Sequence, residues 1–176
     1  MSLIVETGAV VTGAEAYCTV AYADDYHSKR GNAAWAVLDD VDAKEPALRR
    51  ATDYMVQMYR ARWKGFRKSA LQVLDWPRTF VYLEPFVTGG FGAYPFLVAD
   101  TIVPDEVMRV CAEFALRAAT ADLSPDLARG VLSETVGPLA VTYDPNSPES
   151  ARYRALDALL APYLSGSSMN AKLVRA

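Results

Sequence analysis

Catalysis by a hydroxyl or thiol nucleophile needs a base beside it, and this chain offers a single histidine, His27. His27 lies just before Lys29 and Arg30, near the end of a predicted helix, where an imidazole simply complements the negative end of the helix dipole. Cys18 and Cys111 are too few and too far apart for a disulfide framework or a zinc site, and both read as small buried hydrophobes. The carboxylate pairs Asp24-Asp25 and Asp39-Asp40 are sequence neighbours, so on a helix they point in different directions and cannot jointly grip a metal or a substrate. Gly89-Gly90-Phe91-Gly92 has the composition of a phosphate-cradling turn, but no Lys-Ser/Thr follows it and no helix opens there. The expectation is a protein that is not an enzyme, with no catalytic residue, metal or cofactor.

The chemistry the chain does concentrate is positive charge. Between Arg49 and Arg78 stand eight of the 18 basic residues, against Asp53 and Asp75. That stretch carries a formal +6, and because the whole chain is -3 the remainder is -9. A local positive field on an acidic body suits a surface that faces phosphate or a strongly acidic neighbour. Aromatic residues are interleaved with it: Tyr59, Trp63, Phe66 and Trp76.

The elements that must position this cluster follow from periodicity. With 176 residues, 52% of them apolar and 22% charged, the chain predicts one globular domain over residues 1–166 and a short polar arm over 167–176. Its apolar runs are too short to cross a bilayer, and its first residues lack the pattern of a secretory signal, so the protein is expected to stay where it is made, with no membrane partner. Residues 1–18 read as an extended entry. A helix is predicted from the cap Thr19 to Gly31, and a second from Lys44 to Trp63 with Leu48, Ala51, Met55 and Met58 on its buried face. Trp76-Pro77 cannot remain helical, so the basic cluster straddles a helix end and a loop. Residues 79–101 read as a long aromatic and glycine-rich connection without structure of its own, which marks an interface loop. A helix opening at Pro104 buries Val107, Val110, Cys111, Phe114, Ala115 and Ala118. Residues 131–144 predict a small hairpin about Gly137-Pro138, and a last helix from about Ser147 carries Leu156, Leu159, Leu160 and Tyr163. The fold class is mainly α: a small bundle of four to five helices with a short β-hairpin and a long aromatic loop.

Three segments together resemble one family. Leu3-Ile4-Val5-Glu6, with Gly8, Ala14, Tyr17, Tyr26, Gly31 and Trp35, is similar to its N-terminal pattern. Arg50-Ala51-Thr52-Asp53-Tyr54, Trp63-Lys64-Gly65 and Trp76-Pro77-Arg78 resemble its central block. Glu134, Val136-Gly137-Pro138, Val141, Tyr143-Asp144 and Leu159 to Leu164 resemble its C-terminal block. The family comprises small tailed-phage and prophage proteins encoded beside portal and capsid genes. Some are labelled DnaT-like single-stranded DNA-binding proteins, and the family looks related to head-tail connector (adaptor) proteins. One departure is Tyr22, where the family often has an acidic residue that would complete a capping box with Thr19. The resemblance implies a helical bundle that assembles with itself as a ring of twelve copies beneath the portal protein. Such a ring extends the channel for packaged double-stranded DNA and docks a downstream neck or tail-completion protein. It places the protein in the virion neck, and in the host cytoplasm during assembly.

Two roles then compete for the same residues. In an adaptor, Arg60, Arg62, Lys64, Arg67 and Lys68 face either the DNA channel or acidic residues of the adjacent subunit. Phe86, Phe91, Tyr94 and Phe96 form an interface loop. Met169, Asn170, Lys172, Leu173, Val174 and Arg175 form a portal-binding arm. In a single-stranded DNA-binding protein the 49–78 segment contacts phosphates while Tyr59, Trp63, Phe66 and Trp76 stack on bases; core packing is the competing reading for those aromatics.

Overall fold

The structure, a computed structural model, describes residues 2–38, 41–83, 96–125, 133–136, 139–142 and 153–165. Helix α1 (Val20–Ser28) begins where the sequence offers a cap, the Thr19 Oγ1 accepting the Tyr22 amide at 3.0 Å. A single turn, α2 (Ala33–Ala36), follows and buries Trp35, where the sequence pattern predicts no element. Helix α3 (Val41–Tyr59) starts before Lys44 and stops short of Trp63. Helix α4 (Asp105–Ala118) carries Asp105 and Glu106 in its first turn, and all six residues of its expected stripe are buried.

The core lies where α3 packs along α4, the most extensive contact between elements. Leu48, Ala51, Thr52, Met55 and Tyr59 form the buried arc of α3. Thr52 meets Cys111 across the helix pair at 3.4 Å, and the Tyr54 ring lies 4.8 Å from that of Phe114. Met58, expected on this arc, is exposed; the arc follows α4 toward Tyr59 and leaves Met58 past its edge. Helix α1 crosses the same partner, with the Tyr26 hydroxyl donating to Glu113. Helix α5 (Arg154–Leu160) and the 3-10 turn Ala161–Tyr163 close the other side through Leu156, Leu160 and Tyr163. Leu159, off the axis of that i, i+4 pair, is exposed rather than buried. The start expected for this helix near Ser147 lies outside the described residues.

The chain is mainly helical, with five α-helices among the described residues and two small antiparallel sheets. Strands β1 (Phe66–Arg67) and β2 (Arg78–Thr79) pair with Phe66 opposite Thr79. Strands β3 (Ser133–Val136) and β4 (Leu139–Thr142) form the expected hairpin.

His27 departs from its expected role. It is buried, with Nε2 3.0 Å from the Ala112 carbonyl and Nδ1 2.9 Å from the Asn32 amide nitrogen. A carbonyl can only accept, so Nε2 carries the hydrogen and Nδ1 accepts from Asn32: this is the neutral imidazole, not a cation at a helix end. Burial holds its pKa below the ordinary 6.5, against the opposing Ala112 carbonyl and Glu113. As pH falls below about 6.5 the unfolded chain therefore takes up a proton first, and stability is lost until the folded imidazole itself titrates. Urea unfolding at pH 7.0 and 5.5 is expected to show a loss from this group of at most about 1.4 kcal/mol, reduced in His27→Gln. An identical pH dependence in the two proteins refutes the buried neutral assignment.

Candidate nucleic-acid interface

After α3 the chain folds into a tight excursion from Arg60 to Thr79 whose inner wall carries buried polar groups, most of them bonded, while the indole Nε1 atoms of Trp63 and Trp76 and the Asp75 Oδ2 have no hydrogen-bond partner among the described residues. The Arg78 side chain is buried and donates to three main-chain carbonyls: Lys64 and Gly65, each at 2.8 Å, and Asp75 at 3.1 Å. Burial lowers its pKa while Asp75 opposes the shift, and a guanidinium stays charged in such surroundings. The Gln72 amide, also buried, donates to the carbonyls of Leu74 and Pro77 and accepts from the Ser69 N–H. Gly65 has φ +65°, and a Cβ there would stand 2.1 Å from the Thr79 carbonyl oxygen. Only glycine lets the two strands approach this closely.

Beyond β2, the two flanks of the connection expected over 79–101 pair with each other, and residues 84–95 between them lie outside the described residues. Tyr82 bridges Leu97 in antiparallel fashion, flanked by Leu83 N–H to Phe96 O at 2.8 Å and Val98 N–H to Val81 O at 2.9 Å. Burial alternates about Val81, which is inside while Phe80 and Tyr82 are exposed, although all three are apolar or aromatic and so show no period in the sequence. Phe80, between the two ladders, has φ +57°. A bulky residue in the left-handed region is an outlier that persists only when its surroundings enforce it.

A third segment reaches the same place from the far end of the chain. Leu164 bridges Trp63, the Lys64 N–H donates to Tyr163 O at 2.9 Å, and the Ser165 N–H donates to Arg62 O at 2.6 Å. The Lys64 ammonium ties all three together, donating to Pro162 O at 2.8 Å and to Tyr82 O at 3.4 Å.

The five predicted cations are thus gathered, but most already hold intrachain partners. Arg60 pairs with the fully buried Asp75 at 2.9 Å, Arg62 lies 3.9 Å from Asp157 and over the Tyr59 ring, and Lys68 bonds the Asp100 carbonyl at 2.9 Å with its carboxylate at 3.6 Å. Arg67 donates to Gln72 O at 3.1 Å and has no carboxylate partner among the described residues; nor does Lys64. Of the stacking candidates, Tyr59, Trp63 and Trp76 are buried: the two tryptophan rings meet edge to face at 5.6 Å, and the Tyr59 hydroxyl donates to Asp157. The two tryptophans are core, because the turn at Tyr163 and the bridge of Leu164 to Trp63 cover the helix end they flank. Phe66 alone of the four is available, 70% exposed. Of the loop candidates, Phe96 is 56% exposed, while Phe86, Phe91 and Tyr94 lie outside the described residues, as do Met169, Asn170, Lys172, Leu173, Val174 and Arg175.

Phe66, Phe80 at 62%, Tyr82 at 45% and Phe96 are thus exposed on paired segments, the first two sheet segments also carrying Lys64, Arg67 and Lys68 close by in the chain. Phe80 and Tyr82 were not singled out from sequence. Their i, i+2 spacing after a Trp-Pro break was the available signal. Aromatic faces with a few cations at their border can stack on unpaired bases while holding the backbone, or can pack against another protein.

Clefts also lie elsewhere among the described residues. One of about 490 Å³ is lined by Asp24, His27, Trp35 and Lys44, with Asp24 accepting from both the Trp35 indole at 2.7 Å and Lys44 at 2.9 Å. Another of about 380 Å³ is lined by Arg50, Asp53, Gln57 and Asp122. Among the described residues no group of three His, Cys, Asp or Glu side chains could hold a metal ion, and no helix is long and apolar enough to cross a membrane.

Fold and sequence together describe a small, mainly helical protein with exposed aromatics and cations in the segments that follow α3. A family model described as "Putative DnaT-like ssDNA binding protein" matches residues 1–176, and the chain belongs to that family. No curated protein and no solved structure matches it.

The close approach at Gly65 yields a direct test. Gly65→Ala should destabilise by about 2–4 kcal/mol, since strain and overpacking add. Gly31→Ala, at φ +66° but in open space, should cost only about 1–2 kcal/mol. Equal losses in denaturant unfolding would show that β1 and β2 are not held in this register.

Proposed function

We propose that the protein binds single-stranded DNA on the face formed by Phe66, Phe80, Tyr82 and Phe96, with Lys64, Arg67 and Lys68 contacting phosphates, and that it does so as a binding protein without catalytic activity. The single observation that carries this reading is the set of exposed aromatics on paired strands beside a cationic border, in a chain whose family is described by that activity. The intrachain pairing of Arg60, Arg62 and Lys68 sets its character. Few cations are free to displace counterions, so stacking carries more of the affinity than charge does.

That character is measurable. For two to three phosphate contacts on a single strand, the slope of log K against log salt is expected to be between about -1.4 and about -2.1, shallow for a nucleic-acid binder. Phe66→Ser with Phe80→Ser should weaken binding of an oligothymidylate at least about tenfold, because each lost stack costs about 1–3 kcal/mol. Fluorescence anisotropy reads both quantities, and binding indifferent to the two aromatics sinks the proposal.

A second reading has its own observation. The same exposed apolar side chains, a local +6 on a chain otherwise -9, and cations already paired inside the fold also suit a surface that packs against protein. On this reading the chain is a head-tail adaptor of a tailed-phage virion. Twelve copies form a ring beneath the portal around packaged double-stranded DNA, and the ring docks the next neck or tail-completion component. Sedimentation and electron micrographs, with and without portal, separate the two: rings that ignore oligonucleotides favour the adaptor, and a monomer that binds oligothymidylate favours the first reading.

A further inference from the structure

The paired cations that follow α3 differ in what they must give up to hold an outside anion. Arg60 is bonded at 2.9 Å to Asp75, whose carboxylate is wholly buried, so losing Arg60 would strand a charge in the interior. Arg62 stands 3.9 Å from Asp157, and that carboxylate is also held by the Tyr59 hydroxyl at 2.8 Å. Lys68 is different. Its ammonium donates to the Asp100 main-chain carbonyl at 2.9 Å, while the Asp100 carboxylate stands off at 3.6 Å with 47% of the side chain exposed. The carbonyl takes one of three ammonium hydrogens at full hydrogen-bond length, and the carboxylate beyond it is a looser partner. The pair also joins two segments that carry exposed aromatics, since Lys68 lies two residues after Phe66 and Asp100 four after Phe96.

Resting on the single-strand reading above, we infer that Asp100 is an internal competitor for the phosphate that Lys68 contacts, and that it thereby limits how tightly the protein holds single-stranded DNA. Carboxylate and phosphate are both anions that an ammonium pairs through charge-assisted hydrogen bonds, and an exposed pair contributes little on its own, so one replaces the other at small cost. The carbonyl of Asp100 keeps the ammonium in place through the exchange. Such an exchange leaves a mark on salt dependence. A phosphate meeting a free cation sheds its condensed counterion, whereas a phosphate that displaces Asp100 frees a carboxylate that gathers cations in turn. The contact at Lys68 then adds little net ion release while Asp100 is present. With a neutral side chain at position 100 the full release appears.

The test compares the full chain with Asp100→Asn and Asp100→Ser, both of which keep the main-chain carbonyl. Asp25→Asn is the control, since it removes the same charge from an exposed pair with Lys29 on α1. Anisotropy titrations of a labelled oligothymidylate are run between about 50 mM and about 200 mM salt. Both Asp100 variants should bind more tightly than the parent, with a slope of log K against log salt steeper by about 0.7, so that their advantage shrinks about 2.6-fold across that range. Asp25→Asn should match the parent in affinity and slope. Asp100 variants that bind no better than the parent, or that gain no more than Asp25→Asn, overturn the competition and leave the aromatic site standing. If neither the parent nor any variant binds oligothymidylate, the single-strand reading fails and this inference with it.

Discussion

The Arg78 guanidinium, buried and bonded to the carbonyls of Lys64, Gly65 and Asp75, is the contact on which the rest of the face depends. Three carbonyls at the turn of an excursion have no strand or helix to satisfy them, and leaving them unpaired in the interior is costly. One planar fork with five donors meets that demand in a single side chain, which an ammonium cannot do with the same geometry. With 64–65 and 75 fixed to Arg78, β1 and β2 come into register, Gly65 contacts the Thr79 carbonyl, and Phe66 is turned outward.

Charge along this chain has two fates. Some cations of the 49–78 stretch are internal ties: Arg78 holds carbonyls, Arg60 balances the buried Asp75, and Arg49 joins Glu15 at 3.0 Å to Glu45 at 3.2 Å. Others remain at the border of the aromatic face. Exposed pairs such as Lys68 with Asp100 contribute little to stability and exchange readily for another anion. The Arg60 pair, with a carboxylate wholly inside the protein, does not. A net count over the stretch therefore overstates its field at the surface.

The helical part of the fold was readable because its period and its burial coincide. The stripe of α4 and the Thr19 cap of α1 follow from local spacing and local hydrogen bonds, as does the β3–β4 hairpin. What misled the sequence reading was long-range in origin. His27 is neutral because Ala112, far along the chain, meets its ring. For Trp63 and Trp76 the core-packing reading holds, and the covering residue is again distant in sequence: Tyr163, whose ring meets that of Trp76 edge to face.

By itself the sequence determined a mainly helical chain, its helix caps and core stripes, and the presence of one cationic, aromatic segment, because these depend on residues within a turn or two of one another. Only the tertiary structure decided which of those cations and aromatics face outward. It also decided that Tyr82, Pro162 and the chain about Ser165 converge on Lys64. Exposure is a property of what packs against a residue, and here the packing partners stand about 18 and 98 residues away along the chain.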